Sequence, residues 1–199
     1  MNDYSPFQKR FVDFVHRYID EVKKLVSAPN LFFREHRDDS GFLEPTLFAG
    51  VSLLLPILFY ALLTAPFTLG ISLLFVLPSM LYGIALLFIS AIILHGLVRL
   101  FGGQDKFEVT YRCVAYASVS SYSWLIPFPF INLILFATFF CTLLYFALRE
   151  VHELNPQQAS ILLIAPAFLI LLSGSILTMV TIWMIIRGAA MMLTFFLPG

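Results

Sequence analysis

Charge is what this sequence has least of. Only 12% of its 199 residues are Asp, Glu, Lys or Arg, against roughly 25% in a typical soluble domain. None of these four types occurs over residues 46–98, 113–148 or 154–186. Uncharged apolar stretches of that length exclude an ordinary soluble domain. No acidic or basic side chain sits near the middle of any of them, which argues against a proton-coupled pump. Cysteine is scarce as well. Cys113 and Cys141 lie in or beside apolar stretches, so a disulfide framework is not expected and buried free thiols are. No P-loop, GxSxG, HExxH, CxxC or dinucleotide fingerprint occurs, which removes the familiar catalytic motifs. The formal net charge is zero, and nothing in it points to nucleic acid. The start of the chain is mixed in charge rather than basic and then apolar, so no cleavable leader is expected.

What is present is apolar and aromatic. Hydrophobic residues make up 60% of the chain. Five apolar segments follow the first 45 residues, at about 46–64, 69–97, 109–125, 128–148 and 159–186. A spanning helix needs about 20 such residues. The second segment exceeds that and holds Pro78, so a tilt or kink is expected there. The third is the most polar, with Tyr111, Tyr116, Ser118, Ser120, Ser121, Tyr122 and Ser123. It reads as a central helix shielded by its neighbours, its hydroxyls bonded locally. The expected fold is all-α: a polytopic membrane protein with five transmembrane helices over 46–199, preceded by a cytoplasmic arm over 1–45.

The basic residues set the orientation. With five spans and a cytoplasmic N-terminus, eleven of the twelve Lys and Arg fall inside and only Arg187 outside. Cytoplasmic connections carry such an excess. The C-terminus then lies on the opposite side.

The arm holds seven of the twelve basic residues and eight of the twelve acidic ones. Over 6–26, Phe7, Phe11, Phe14, Tyr18, Val22 and Leu25 recur at steps of three and four, which predicts an amphipathic helix. It would dock on the rest of the protein or on a second copy, or lie on lipid. Pro29 ends it. Asn30 is placed to cap a short interfacial element over about 30–36, in which Phe32 and Phe33 suit the membrane boundary.

A polar island from Arg99 to Tyr116 interrupts the apolar region. Its Gly102-Gly103 pair predicts a helix end. His95 closes the second span, Asp105 and Glu108 lie in the island, and Arg149, Glu150 and His152 follow the fourth span. These segments meet at the inner face. His95, Glu108 and His152 are candidate ligands for a divalent metal, since histidine with carboxylate suits zinc, iron or manganese. Arg99, Asp105, Arg112 and Glu150 form a candidate structural polar cluster of paired charges. Apart from that metal, no cofactor is expected. Small residues four apart, at Ser79 and Gly83, Ala117 and Ser121, Gly174 and Thr178, mark close helix approach within the bundle or between subunits.

The order of these features resembles bacterial-type members of the Yip family, the Ypt/Rab-interacting membrane proteins. The residues that carry the resemblance are Pro29, Phe32-Phe33, Gly102-Gly103, Phe107, Arg112, Tyr116-Ala117, Val151-His152-Glu153-Leu154 and Ala159. It covers about residues 25–190. The resemblance implies five helices, a cytoplasmic N-terminus and self-association. Eukaryotic relatives act in Golgi and endoplasmic reticulum trafficking and contact Rab GTPases. Their Asp-Leu-Tyr-Gly-Pro motif does not occur here and the arm is short, so the resemblance supplies a fold more than a function.

Three functions compete. One is a non-enzymatic scaffold of a bacterial inner membrane that oligomerises and offers its arm to a cytoplasmic protein. Another is a transporter or channel for a small cation or solute, using the inner-face His and carboxylate residues. The third is a membrane enzyme. The missing mid-membrane charges favour the scaffold.

Overall fold

The structure is a computed structural model and describes residues 6–66, 68, 70–103, 105–126, 128–164, 166–168, 171, 172, 175, 179, 183 and 187. The regular elements among these residues are all helical. Helix α1 covers Pro6–Ser27 and α2 covers Pro29–Glu35. Pro29 takes the first position of α2, where a missing N–H leaves nothing unsatisfied. The cap is therefore Ala28, and Asn30 lies inside the helix rather than capping it.

Among the described residues, three helices are long and apolar enough to cross a membrane: α3 (Leu43–Thr64), α5 (Val76–Leu100) and α7 (Pro129–Glu150). A single turn, α4 (Ile71–Leu74), precedes α5. Pro78 falls in the first turn of α5, where it breaks no backbone bond. The interruption expected at Pro78 thus lies upstream, at Phe75.

The end of α5 follows from two glycines. The Gly102 N–H returns to the Arg99 carbonyl at 3.2 Å and the Gly103 N–H to the Val98 carbonyl at 3.0 Å. This pair of bonds is a Schellman closure. Gly102 has φ +90°, a conformation that glycine adopts without strain. A Cβ on Gly103 would collide with Val98 Cγ1 and sit 3.1 Å from the Val98 carbonyl oxygen.

The third apolar segment folds as α6 (Phe107–Ala117) continued by a 3-10 helix (Ser118–Leu125). Serines offer the backbone competing bonds, and Ser120 Oγ donates to the Ala117 carbonyl at 2.8 Å. Residues 110–121 are buried without a break. The segment runs beside α3 in the same direction. Tyr111 and Thr46 share a hydroxyl bond of 2.7 Å, Ser121 Oγ donates to the Ser52 carbonyl at 2.8 Å, and the Tyr60 hydroxyl donates to the Ile126 carbonyl at 3.5 Å. Helix α7 packs on its other side and α5 against α6.

The bundle is apolar on the outside too. Leu62 on α3, Leu81 and Ile92 on α5 and Ile134 on α7 are all more than half exposed, as suits side chains facing hydrocarbon. Small residues serve packing within this bundle. A Cβ on Gly83 would meet Leu53 Cδ1 at 3.0 Å, and Ala117 and Ser121 are buried. Gly174 and Thr178 lie outside the described residues. Residues 156–164 are helical and bury Ala159 and Leu162 in the core. Much of the fifth apolar segment, and both chain ends, also lie outside the described residues.

Candidate functional site

The island and the end of α7 come together through one threonine. Thr110, on the buried side of α6, has its Oγ1 3.0 Å from His95 Nδ1 and 3.3 Å from His152 Nε2. On its far side, His152 Nδ1 lies 2.7 Å from Asp105 Oδ2. The His152 side chain is fully buried, and that of Asp105 is 31% exposed. An ionised carboxylate only accepts, so His152 donates from Nδ1 and its Nε2 accepts. The Thr110 hydroxyl has one proton, which goes to His152 Nε2. Its oxygen then accepts from His95 Nδ1–H. The four side chains form one directional series, His95 to Thr110 to His152 to Asp105. Burial pushes the His152 pKa down from its ordinary value, outweighing the adjacent Asp105 carboxylate, while His95 and Arg37 add to the lowering. The ring is neutral at pH 7, as the bonding series requires.

The backbone turn after α7 aims His152 inward. Glu153 is left-handed, with φ 53°, and the Leu154 N–H returns to the Leu148 carbonyl at 3.4 Å. Glu153 then reaches the arm, where its Oε1 pairs with Arg37 Nη1 at 2.7 Å.

Arg112 sits on the other side of α6. Its guanidinium is buried and meets no carboxylate among the described residues. It donates to backbone carbonyls of the arm instead: His36 at 2.7 Å, Arg37 at 3.4 Å, and Asp39. The planar five-donor group suits such a fan of acceptors. The arm is held at a third point, where the Tyr18 hydroxyl bonds both Ser52 Oγ (2.9 Å) and the Tyr122 hydroxyl. Leu25, Phe32 and Phe33 are buried in the same core, and Phe32 meets Tyr116 edge-on at 4.9 Å. The aromatics expected at a membrane boundary are core residues, because α2 lies against α7.

The residues singled out from sequence are used differently from their expected pairing. His95, His152 and Asp105 do come together, through Thr110. Glu108 stands in the first turn of α6, where a carboxylate suits the helix dipole, and makes no bond in that series. Arg99 donates to the Asp105 backbone carbonyl at 3.3 Å rather than to its carboxylate. Arg149 lies over the Tyr145 ring at 5.7 Å, and Glu150, half-buried, ends α7. Among the described residues, no three His, Cys, Asp or Glu are grouped to hold a metal ion. Both ring nitrogens of His152 are already engaged. Sequence reasoning missed Thr110, which lies between Glu108 and Arg112 on α6. It also missed the arm carbonyls, which no side-chain pattern encodes.

A family model for the Yip1 domain matches residues 23–178. The chain belongs to that family. Its Yip1 domain therefore includes the His95–Thr110–His152–Asp105 series, Arg112 and all three arm carbonyls that Arg112 binds. Tyr18 and most of α1 precede the matched residues. No curated protein and no solved structure matches the chain. Family membership and the apolar helices together make it an integral membrane protein.

Proposed function

We propose that this Yip-family protein is a non-enzymatic, self-associating scaffold of a bacterial inner membrane, which presents its N-terminal arm to a cytoplasmic protein. It takes five spans, with the N-terminus in the cytoplasm and the C-terminus opposite. The observation that carries this reading is how its interior polar groups are used. Arg112, Thr110, His152, Tyr18 and Ser52 all bond to side chains or backbone of neighbouring segments, while Ser118 Oγ, Ser123 Oγ and Asn132 Oδ1 are buried without a partner among the described residues. These bonds fix the arm and the helix ends in place. A site that moves a solute needs polar groups free to exchange partners. A built, latched arm suits display to a partner.

Purification without added metal, followed by mass in lipid nanodiscs and elemental analysis, tests the reading. The expected mass is an integer multiple, above one, of the 22.6 kDa chain. A stoichiometric divalent metal, lost in both His95→Ala and His152→Ala, would overturn it and put transport first.

A further inference from the structure

A groove of about 510 Å³ lies between the end of α1, the 3-10 helix and the middle of α7. That size falls among small-ligand sites, roughly 300–1,000 Å³. Its walls include Val26, Val119, Ser123, Leu135, Thr138 and Phe139. We propose that this groove holds one acyl chain of a phospholipid, with the headgroup lodged beside α1.

Three observations carry the proposal. First, the groove opens where hydrocarbon lies. Leu135 on its wall continues the outward apolar face of α7 through Ile131 and Ile134, and α7 has the length and apolarity of a membrane span. An apolar recess bordered by lipid fills with acyl chain, since an empty recess forfeits contacts on every wall. Second, α1 prolongs the recess as a stripe. Val12, Ile19 and Val26 recur at intervals of seven and stay exposed although the neighbouring face of the helix docks on α3. Lys9, His16 and Lys23, also exposed, flank that stripe at the same interval together with Asp13 and Asp20, and Lys23 lies 3.8 Å from Asp20, so polar groups of both signs stand where a headgroup would lie. Third, Ser123 Oγ on the groove wall is buried and has no hydrogen-bond partner among the described residues. With that hydroxyl covered, the groove presents an almost wholly apolar wall there, as an acyl chain needs.

The proposal needs α7 to border lipid. It does not need self-association or a protein partner, so it stands or falls separately from the scaffold reading.

Native mass spectrometry of the full chain tests it, in mild detergent with phosphatidylglycerol and an equal amount of phosphatidylcholine. Wild type is expected to retain one phospholipid per chain, of either headgroup. Thr138→Phe fills the groove and is expected to lower retention at least five-fold, while Leu62→Phe on the outward face of α3 leaves it unchanged. Circular dichroism and melting establish that each variant is folded. Leu135→Trp, at the exposed rim, gives the same readout should Thr138→Phe not fold. Equal retention by wild type and both groove variants would overturn the proposal, as would no retained lipid in wild type. So would a dimer that Thr138→Phe converts to monomer, because a second copy would then occupy the groove.

Discussion

Arg112 Nη1 on α6 donates to the backbone carbonyl of His36 in the arm, 2.7 Å away and 76 residues earlier in the chain. With Arg37 and Asp39 supplying two more carbonyls, a buried positive charge is satisfied by backbone dipoles alone. The arrangement ties the arm to the most buried segment of the bundle. Arg112→Met keeps the apolar stem and removes every donor. Hydrogen bonds to a charged group contribute about 1.5–3 kcal/mol each and are not additive, so a loss of about 3 kcal/mol is expected. The arm should also loosen. Tryptic cleavage at Arg34 and Arg37 in nanodiscs is the measurement, and the variant should be cut faster. Equal cleavage rates would mean the arm is held elsewhere.

The two glycines after α5 make separate demands. At Gly102, φ +90° makes alanine cost about 1–2 kcal/mol. At Gly103 the obstacle is contact with Val98, so alanine there should push the island away from α5 and lower the melting temperature further. Gly96 is the control. Nothing lies within 4 Å of the position its Cβ would take, and it sits inside a helix, so Gly96→Ala should gain about 0.5–1 kcal/mol. The expected melting order is Gly96→Ala, wild type, Gly102→Ala, Gly103→Ala. Tolerance of alanine at 103 would rule out the close contact.

Much of this fold was legible because periodicity and glycine act locally. The stripe from Phe7 to Leu25 announced α1, and Gly102-Gly103 announced the end of α5 before any contact was known. The 3-10 continuation of α6 was less visible, since Ser118 to Ser123 fit a polar helix as well as a tightened one. The site was half legible. His95, Asp105 and His152 could be grouped from topology, but Thr110 at their centre carries no charge and no motif. The partners of Arg112 are backbone atoms, and sequence pattern records only side chains. The burial of Phe32 and Phe33 was not legible, because aromatic residues look alike at a membrane boundary and in a core.

His152 makes stability depend on pH. Burial holds its folded pKa below the ordinary 6.5. Below about 6.5 the unfolded chain takes up a proton that the folded chain does not. The stabilisation is therefore complete above pH 6.5 and is lost as pH falls from 6.5 towards the folded value. Wild type should melt at a lower temperature at pH 5.5 than at pH 7.5. His152→Gln lacks the titrating ring, so its difference between the two pH values should be smaller. A difference as large as that of wild type would assign the effect to other groups.

The path of the third apolar segment decides the topology. Eleven residues of α6 advance about 16 Å and the eight of the 3-10 helix about another 16 Å, close to the roughly 30 Å of a bilayer core. Its contacts with α3 run from Thr46 near one end of that helix to Tyr60 near the other. A re-entrant piece would turn back and meet the starting end of α3 twice, so the segment is expected to cross. Cysteine introduced at Asp105 and at Phe128, in a chain whose Cys113 and Cys141 are alanine, gives the test. A membrane-impermeant maleimide applied to intact cells should label Asp105→Cys only after the cells are opened. It should label Phe128→Cys, at an exposed position, without opening them. Labelling of both from one side would show that the segment returns, and the count of spans would fall to four.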